Sequence, residues 1–456
     1  MTDYADYDVR PIDSMLDVLH YSSKTYSNKF AFISDSYKKT YRDLKADAAT
    51  ISVFISENSK KYVIISIKDK YLFSVAYFAT VVSGKIAVLL PNEKVQINCI
   101  PNDEICMMLD DNAVSHCLKT ISAKDFSYSN FDVNDVCTVL FSSGTSGEPK
   151  GVMLSQKNIC TDIVAGMQKF AYLESSIYLS VLPYTHAFGL VCDMLAPIYS
   201  GGTIYTVGEN PSSFFGGLEK CRPTCLNVPP AALNAILTLA KNTSKDISQI
   251  TGGRLQKVLS GGAATSEHVA KEFEKHGIFV SGCYGLTECS PCVSVNREHY
   301  YKYKSAGVIL NCNDVEIIDG EITVTGSNVM VGYMEHDDNS AKLIAERLYT
   351  GDCGFVDEDG FLYVTGRKNT LIIFSNGTKL LPETLERVIN KHSMISESLV
   401  TYAGDDSVII SAVCGDRCDK QEIRSYIKSV CNYKIADIII RTEPLPRTQN
   451  GKLKRN

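Results

Sequence analysis

With 456 residues the chain exceeds one ordinary hydrophobic core, so two or three domains are expected. Hydrophobic residues at 45% and charged ones at 21% describe an ordinary soluble globular composition, and a formal net charge of -6 supplies no basic field to draw the chain to nucleic acid or anionic lipid. The acidic opening Met1-Thr-Asp-Tyr-Ala-Asp-Tyr-Asp8 lacks the basic flank and apolar core of a signal peptide, and apolar runs such as 73–82 are far shorter than a membrane span, which predicts a cytoplasmic protein with no membrane span.

Sixteen cysteines raise the question of disulfides or metal. Only Cys289-Ser-Pro-Cys292 has Cys-x-x-Cys spacing, and no second pair or His-x-x-x-His completes a zinc set. Cys221/Cys225 and Cys414/Cys418 are one residue wider and equally isolated. Reduced thiols, many of them buried as small hydrophobes, are the expectation.

In chain order, the apolar spacing of 14–20 predicts a helix and Phe30-Ala-Phe-Ile33 a strand. Thr40 opens a second helix reaching Ile55, with its hydroxyl as the cap. Tyr62-Val-Ile-Ile-Ser-Ile67 is a continuous apolar, β-branched run, as in a strand buried on both faces. A helix over 76–82, Gly84 and the strand Ile86-Ala-Val-Leu-Leu90 complete a β-α-β alternation, which predicts a mostly parallel sheet with helices on both faces. The interval 92–132 is weakly patterned, and no functional residue is placed there.

Between the apolar runs 139–141 and 152–154 lies a loop of small and hydroxyl residues: Ser142, Ser143, Gly144, Thr145, Ser146 and Gly147, followed by Glu-Pro-Lys150-Gly151. Small residues let backbone N–H groups converge on an anion, hydroxyls add donors and Lys150 adds a point charge, so the loop suits a polyphosphate. It is not the Gly-x-x-x-x-Gly-Lys-Ser/Thr loop, because Pro149 and Val152 stand where its second glycine would be, and no Gly-x-Gly-x-x-Gly occurs in the chain.

A helix over 156–170 follows, then a strand over 178–182 ending at Pro183-Tyr-Thr-His-Ala-Phe-Gly189. This places His186 where a strand leads into a loop, the usual position of ligand groups in open parallel sheets. The strand-loop unit Lys257-Val-Leu-Ser-Gly-Gly-Ala-Ala264 has paired glycines, Gly261 and Gly262, that let backbone approach a flat ligand. In Phe279-Val-Ser-Gly-Cys-Tyr-Gly-Leu-Thr-Glu288, Tyr284 offers a stacking face, Thr287 a hydroxyl and Glu288 a carboxylate for a hard cation. Runs 314–318 and 321–325 flank Asp319-Gly320, a two-residue hairpin signal, and 348–356 with 361–365 form a second hairpin. A boundary is expected at 366–370, and 367–456 reads as a small α+β domain ending in a polar Gly/Pro tail over 444–454 that looks mobile.

Taken in order, these stretches resemble the adenylate-forming superfamily of acyl-CoA synthetases, luciferases and peptide-synthetase adenylation domains. The loop 142–151 is similar to its phosphate-binding signature and Tyr284-Gly285-Leu-Thr-Glu288 to its Tyr-Gly-x-Thr-Glu. Thr350-Gly-Asp352 with Gly366-Arg367 resembles its Thr-Gly-Asp and Gly-Arg pair, and Pro446-Arg-Thr-Gln-Asn-Gly-Lys452 its terminal Pro-x-x-x-x-Gly-Lys. The resemblance implies an α/β fold: a large N-terminal domain over 1–366 of mostly parallel sheets with flanking helices and a β-rich subdomain, and a small mobile α+β lid domain over 367–456. It also implies a reaction in which a carboxylate and MgATP give an acyl-adenylate and pyrophosphate, after which a thiol displaces AMP.

Carried over position by position, the resemblance has Ser142 to Lys150 hold the β- and γ-phosphates, while Gly261, Gly262, Ala263, Tyr284 and Gly285 line the adenine. Thr287 would touch the α-phosphate and Glu288 would hold Mg²⁺. Asp352 would accept the ribose hydroxyls with Arg367 nearby, and Lys452 would bridge α-phosphate and substrate carboxylate. Asn369 stands in the hinge where relatives commonly carry Asp or Lys. His186-Ala-Phe-Gly189 resembles the His-x-x-Gly of acyl- and aryl-CoA synthetases, and with no nearby acid to pair an ammonium it favours an unsubstituted, fatty-acyl type of substrate. CoA is the implied thiol. The short chain leaves a carrier-protein phosphopantetheine as the alternative, and a non-catalytic nucleotide-binding regulator as a third reading, against which Lys452 and Glu288 argue.

Overall fold

The structure is a computed structural model that describes residues 6–90, 100–120, 126, 131–143, 149–208, 211–334, 343–376, 378–415, 418–447 and 453. Contacts divide it into two compact units: 1–315 with 324–348 and 357–362, and 316–323 with 349–356 and 363–456.

The first unit is built on two sheets. One runs in the order Gly332–Tyr333, Pro149–Ser155, Val136–Ser143, Ile86–Leu89, Tyr62–Ile65, Ile105–Leu109, and the last four of these strands are parallel. The other has nine strands among the described residues. Its parallel centre is Phe279–Gly285, Lys257–Ser260, Cys225–Val228, Ile177–Ser180, Thr203–Thr206 and Phe30–Ile33, and an antiparallel strand pairs at each end of this set. Buried strands of this kind explain the unbroken apolar runs, in which Val63, Ile65, Val88, Leu89, Leu226 and Val258 are wholly or almost wholly shielded from water.

Local signals place the helices. Met15–Thr25, Tyr41–Ser56 and Gln156–Lys169 each start from a reciprocal cap, Ser14 with Asp17, Thr40 with Asp43 and Ser155 with Asn158. Such a cap is worth about 1 kcal/mol. The helix expected over 76–82 begins earlier, at Lys70–Val82, because Asp69 caps it by accepting from Leu72 N. It is apolar nearly all round and correspondingly buried. The weakly patterned interval 92–132 contains the edge strand Ile105–Leu109 and the helix Asp111–Thr120. In that strand Cys106 and Leu109 are buried but Met108 is half exposed, so it lacks the β-branched continuity that marks its neighbours.

In the second unit, Ile395–Gly404 and Ser407–Cys414 pair antiparallel, and Lys434–Arg441 adds a parallel strand. The helices Pro382–Ile389 and Lys420–Val430 contribute Leu385, Ile389, Ile423 and Ile427 to one core with Val400, Ile410 and Ile438. The tail is anchored at both of its described ends. Leu445 is buried against Leu399 and Val413, its N–H donates to Glu397 Oε1 at 2.8 Å, Arg447 pairs with Glu397, and Leu453 packs on the same cluster and bridges Arg447. One buried leucine, one partly buried leucine and an ion pair thus tie these described ends to the sheet. The Asp319-Gly320 turn joins Asn313–Ile318 to Glu321–Gly326 with φ of 51° and 79°, the left-handed pair such a two-residue turn requires.

Candidate active site

In the first unit the loops at the carboxyl ends of neighbouring parallel strands carry the residues singled out from the sequence, as expected for an open α/β sheet. After Lys257–Ser260 the chain turns through Gly261 and Gly262, the latter at φ 81°. A Cβ on Gly261 would lie 2.7 Å from Cys283 Sγ and 3.2 Å from the Phe188 ring, so a side chain here would have to displace both. Phe279–Gly285 runs parallel alongside, with Ser260 opposite Gly282, and brings Tyr284 to the same end. A Cβ on Gly285 would sit 1.9 Å from Pro291 O, so this turn too has no room for a side chain.

The short helical turn Thr287–Cys289 that follows is clamped from behind. Asp162, buried in the helix Gln156–Lys169, accepts from Cys292 N at 3.0 Å and from Asn328 Nδ2 at 3.0 Å. That same amide donates to the carbonyls of Cys289 at 3.0 Å and Cys292 at 2.8 Å. Glu288 is 6% exposed, and its Oε1 accepts from Tyr333 Oη at 2.8 Å. Neither Asp162 nor Tyr333 was singled out from the sequence. Both lie far along the chain from 288, and no local pattern links them to it.

The phosphate-type loop is closed by an antiparallel pair, with Ser142 opposite Lys150 and Ser143 opposite Pro149. Gly144, Thr145, Ser146 and Gly147 lie outside the described residues, as does Lys452. Lys150 Nζ stands 5.4 Å from the centre of the Tyr333 ring, a cation–π contact.

His186 lies in the turn after Ile177–Ser180, where Gly189 is forced because a Cβ would fall 2.0 Å from Pro183 O. A π-helical segment, Gly189–Leu195, follows and carries the buried Asp193. The Asp193 carboxylate accepts from Ser180 Oγ at 2.6 Å, Val181 N at 3.1 Å and Leu182 N at 3.2 Å, with Lys70 Nζ at 3.8 Å. Burial raises its pKa against the pull of Lys70. Burial also lowers the His186 pKa below 6.5, so the imidazole is neutral at neutral pH. Because the unfolded chain takes this proton first, His186 is expected to remove stability as pH falls below 6.5 toward its folded pKa. Denaturant titrations across this range should give a shallower acid loss for His186→Asn than for the native chain; equal slopes would contradict it.

The second unit holds Asp352 and Arg367. Asp352 is 4% exposed and lies 2.6 Å from Arg367 Nε, while its N–H donates to Thr350 Oγ1 at 3.0 Å. The next residue, Lys368, pairs with Glu321 at 2.6 Å, and Glu321 also accepts from Gly351 N at 2.8 Å. The start of the proposed hinge is thus tied by two successive ion pairs.

Among the described residues all fifteen cysteines are free thiols, and no group of three potential ligands could hold a metal ion. Cys192 and Cys292 approach to 4.0 Å between sulfurs, a thiol–thiol hydrogen bond rather than a disulfide. No helix among the described residues is long and apolar enough to cross a membrane.

A family model described as AMP-binding enzyme matches residues 103–334. The 2-succinylbenzoate–CoA ligase of Bacillus pumilus (strain SAFR-032) is 30% identical over 345 residues, covering 72% of this chain and 69% of that protein. The medium-chain fatty-acid–CoA ligase of Escherichia coli (strain K12) is 27% identical over 352 residues, covering 71% of this chain and 60% of that one. Among solved structures, the O-succinylbenzoate coenzyme A synthetase from Bacillus subtilis in complex with AMP superposes with a TM-score of 0.79 at 24% identity, over 96% of this chain and 97% of that one. An anthranilate CoA ligase in complex with anthranoyl-AMP gives 0.83 at 19% identity, over 96% and 95%. The structural likenesses, at these identities, speak for the fold. The matched model spans the phosphate-type loop, the glycine turn and the Tyr284–Glu288 stretch together, and on that ground this chain belongs to the AMP-binding enzyme family.

Proposed function

We propose that this enzyme joins a carboxylic acid to a thiol in two steps. A carboxylate oxygen attacks the α-phosphorus of ATP, the bond to the bridging oxygen of the β-phosphate breaks, and pyrophosphate leaves. The sulfur of CoA then attacks the acyl carbon, the bond to the AMP oxygen breaks, and acyl-CoA and AMP are released. The observation that carries this reading is the pair of glycine-forced turns at 261–262 and 285, set side by side at the ends of adjacent parallel strands and followed directly by the buried carboxylate of Glu288.

There is little covalent work for protein groups in such a reaction, so positioning and charge neutralisation dominate. In this reading the 261–263 turn and Tyr284 hold the adenine, Thr287 and the 142–150 loop hold the phosphates, and Asp352 accepts the ribose hydroxyls. Glu288 fits a hard cation, since among the described residues only Oε1 of its two oxygens has a hydrogen-bond partner. Magnesium held there would neutralise phosphate charge. Lys452 would bridge the α-phosphate and the substrate carboxylate, and residues 367–456 would act as a lid turning about 366–370.

The substrate side favours an acid without an ammonium group. Asp193, the carboxylate nearest in sequence to the 183–189 turn, is fully buried and already engaged by Ser180, two backbone N–H groups and Lys70, so it does not serve a substrate ammonium. A fatty-acyl substrate is the narrower proposal; the CoA ligases similar to this chain are named for succinylbenzoate, ferulate and medium- and long-chain fatty acids alike.

The test is AMP release from ATP across straight-chain, branched and aromatic acids, each with and without CoA. AMP formation that requires CoA and one acid class is expected. Pyrophosphate release with no CoA-dependent turnover would transfer the thiol role to a carrier protein, and no acid-dependent turnover at all would overturn the proposal.

A further inference from the structure

We infer that Tyr333 is a positioning residue for both the cation and the phosphates, acting through Glu288 by its hydroxyl and through Lys150 by its ring. The inference rests on the reading of Glu288 and Lys150 given above and assigns a residue that the sequence motifs do not contain.

Tyr333 sits in the two-residue strand Gly332–Tyr333, which adds antiparallel to the edge of Pro149–Ser155 with Tyr333 opposite Val152. Two further backbone bonds fix that edge, Val331 N to Met153 O at 2.9 Å and Met334 N to Gly151 O at 2.8 Å. The same segment is bound from the other side. Met330 N donates to the Glu288 carbonyl at 2.9 Å, and Asn158 Nδ2 donates to the carbonyls of Ser327 and Val329, each at 2.8 Å. Residues 327–334 therefore run as a strap from the Glu288 turn to the strand that begins beside Lys150.

The ring and hydroxyl do different jobs. Tyr333 Oη donates to Glu288 Oε1 at 2.8 Å, which fixes the carboxylate rotamer, and Oε2 has no hydrogen-bond partner among the described residues. A carboxylate with one oxygen tied and the other bare is oriented for a cation, as outer-shell donors orient metal ligands elsewhere. On its face the ring meets Lys150 Nζ at 5.4 Å, at the end of the strand pair where Lys150 stands opposite Ser142. A tyrosine present only to fill core would be shielded from water; Tyr333 is half-buried and spends both its polar tip and its face on the two charged groups of the site.

The experiment uses the full chain and reads binding as well as turnover. Equilibrium binding of ATP is titrated with Mg²⁺, with Mn²⁺ as a spectroscopic probe, for the native chain, Tyr333→Phe, Tyr333→Leu and Glu288→Gln; AMP without metal is the control ligand. Tyr333→Phe is expected to raise the half-saturating metal concentration about tenfold or more while AMP binding stays within about twofold. Tyr333→Leu should add a loss of ATP over AMP discrimination that Tyr333→Phe lacks, because the surface under Lys150 is gone. If Glu288→Gln raises the metal requirement and Tyr333→Phe does not, the inference falls while the reading of Glu288 stands. If Glu288→Gln leaves the metal requirement unchanged, the reading of Glu288 itself falls. Parallel losses of AMP and ATP binding in both Tyr333 variants would reduce the residue to a structural one and equally overturn the inference.

Discussion

Lys452→Ala is expected to slow adenylate formation by a factor of about 10² or more, while acyl transfer from a supplied adenylate survives. A lysine bridging two like-charged reactants offsets their repulsion only during the attack on phosphorus, so its loss should fall on that half-reaction alone. The flanking residues make the comparison clean. Leu445, Arg447 and Leu453 are held to the three-stranded sheet through the buried cluster and through Glu397, so removing one side chain at 452 leaves both anchors in place. Measuring pyrophosphate release and thioester formation separately checks this. Equal losses in the two steps would remove the assignment of Lys452 to the first of them.

Asp193→Ala should be the most damaging single change outside the reacting groups. Asp193 is fully buried, and its carboxylate satisfies Ser180 Oγ and the N–H groups of Val181 and Leu182 and lies 3.8 Å from the nearly buried Lys70 ammonium. Removing one partner of a buried pair costs about 3–5 kcal/mol, mostly through the charge left behind. Lys70 keeps its bonds to Ser180 Oγ at 2.8 Å and Leu182 O at 2.9 Å and its place 4.8 Å from the Tyr184 ring centre, but loses the buried carboxylate it faces. The turn that carries His186 hangs from this network, so activity should fall along with stability. The double variant Lys70→Met with Asp193→Ala should recover part of the loss, because the ammonium that faced the buried carboxylate is then removed with it. A double variant no more stable than Asp193→Ala, measured by denaturant unfolding, would show that the pair contributes little.

The parts of the molecule that depend on local rules were readable in advance. Strands such as Phe30–Ile33, the capped helices starting at Met15 and Tyr41, and the Asp319-Gly320 hairpin each carry their cause within a few residues. Gly261 and Gly262 stood out as paired glycines, although what crowds Gly261 is Cys283 and Phe188 from elsewhere in the chain, and Gly262 is set by its own φ of 81°. What could not be read is what tertiary structure alone brings together. The edge strand Ile105–Leu109 has mixed exposure and no β-branched run, and the π-helical Gly189–Leu195 matches neither of the usual periods. Asp162 and Tyr333 reach the Glu288 turn from positions 126 and 45 residues away. The roles proposed for Asp352 and Lys452 rest on the family resemblance, since no local pattern would have assigned them.

The pairing of Ser142 with Lys150 has a further consequence for how this chain can vary. Along Pro149–Ser155, Lys150 shares a face with the buried Val152 and Leu154, while Gly151 and Met153 face the other way, and Ser142, Leu140 and Thr138 stand opposite the first set. An added or deleted residue between Lys150 and Leu154 would therefore carry the lysine to the other side of the sheet, since the side-chain period is two. Length changes confined to 144–148 would not disturb that parity. Natural or engineered length changes in this hairpin should accordingly collect in 144–148, with the stretch from Lys150 to Leu154 admitting substitutions but not insertions.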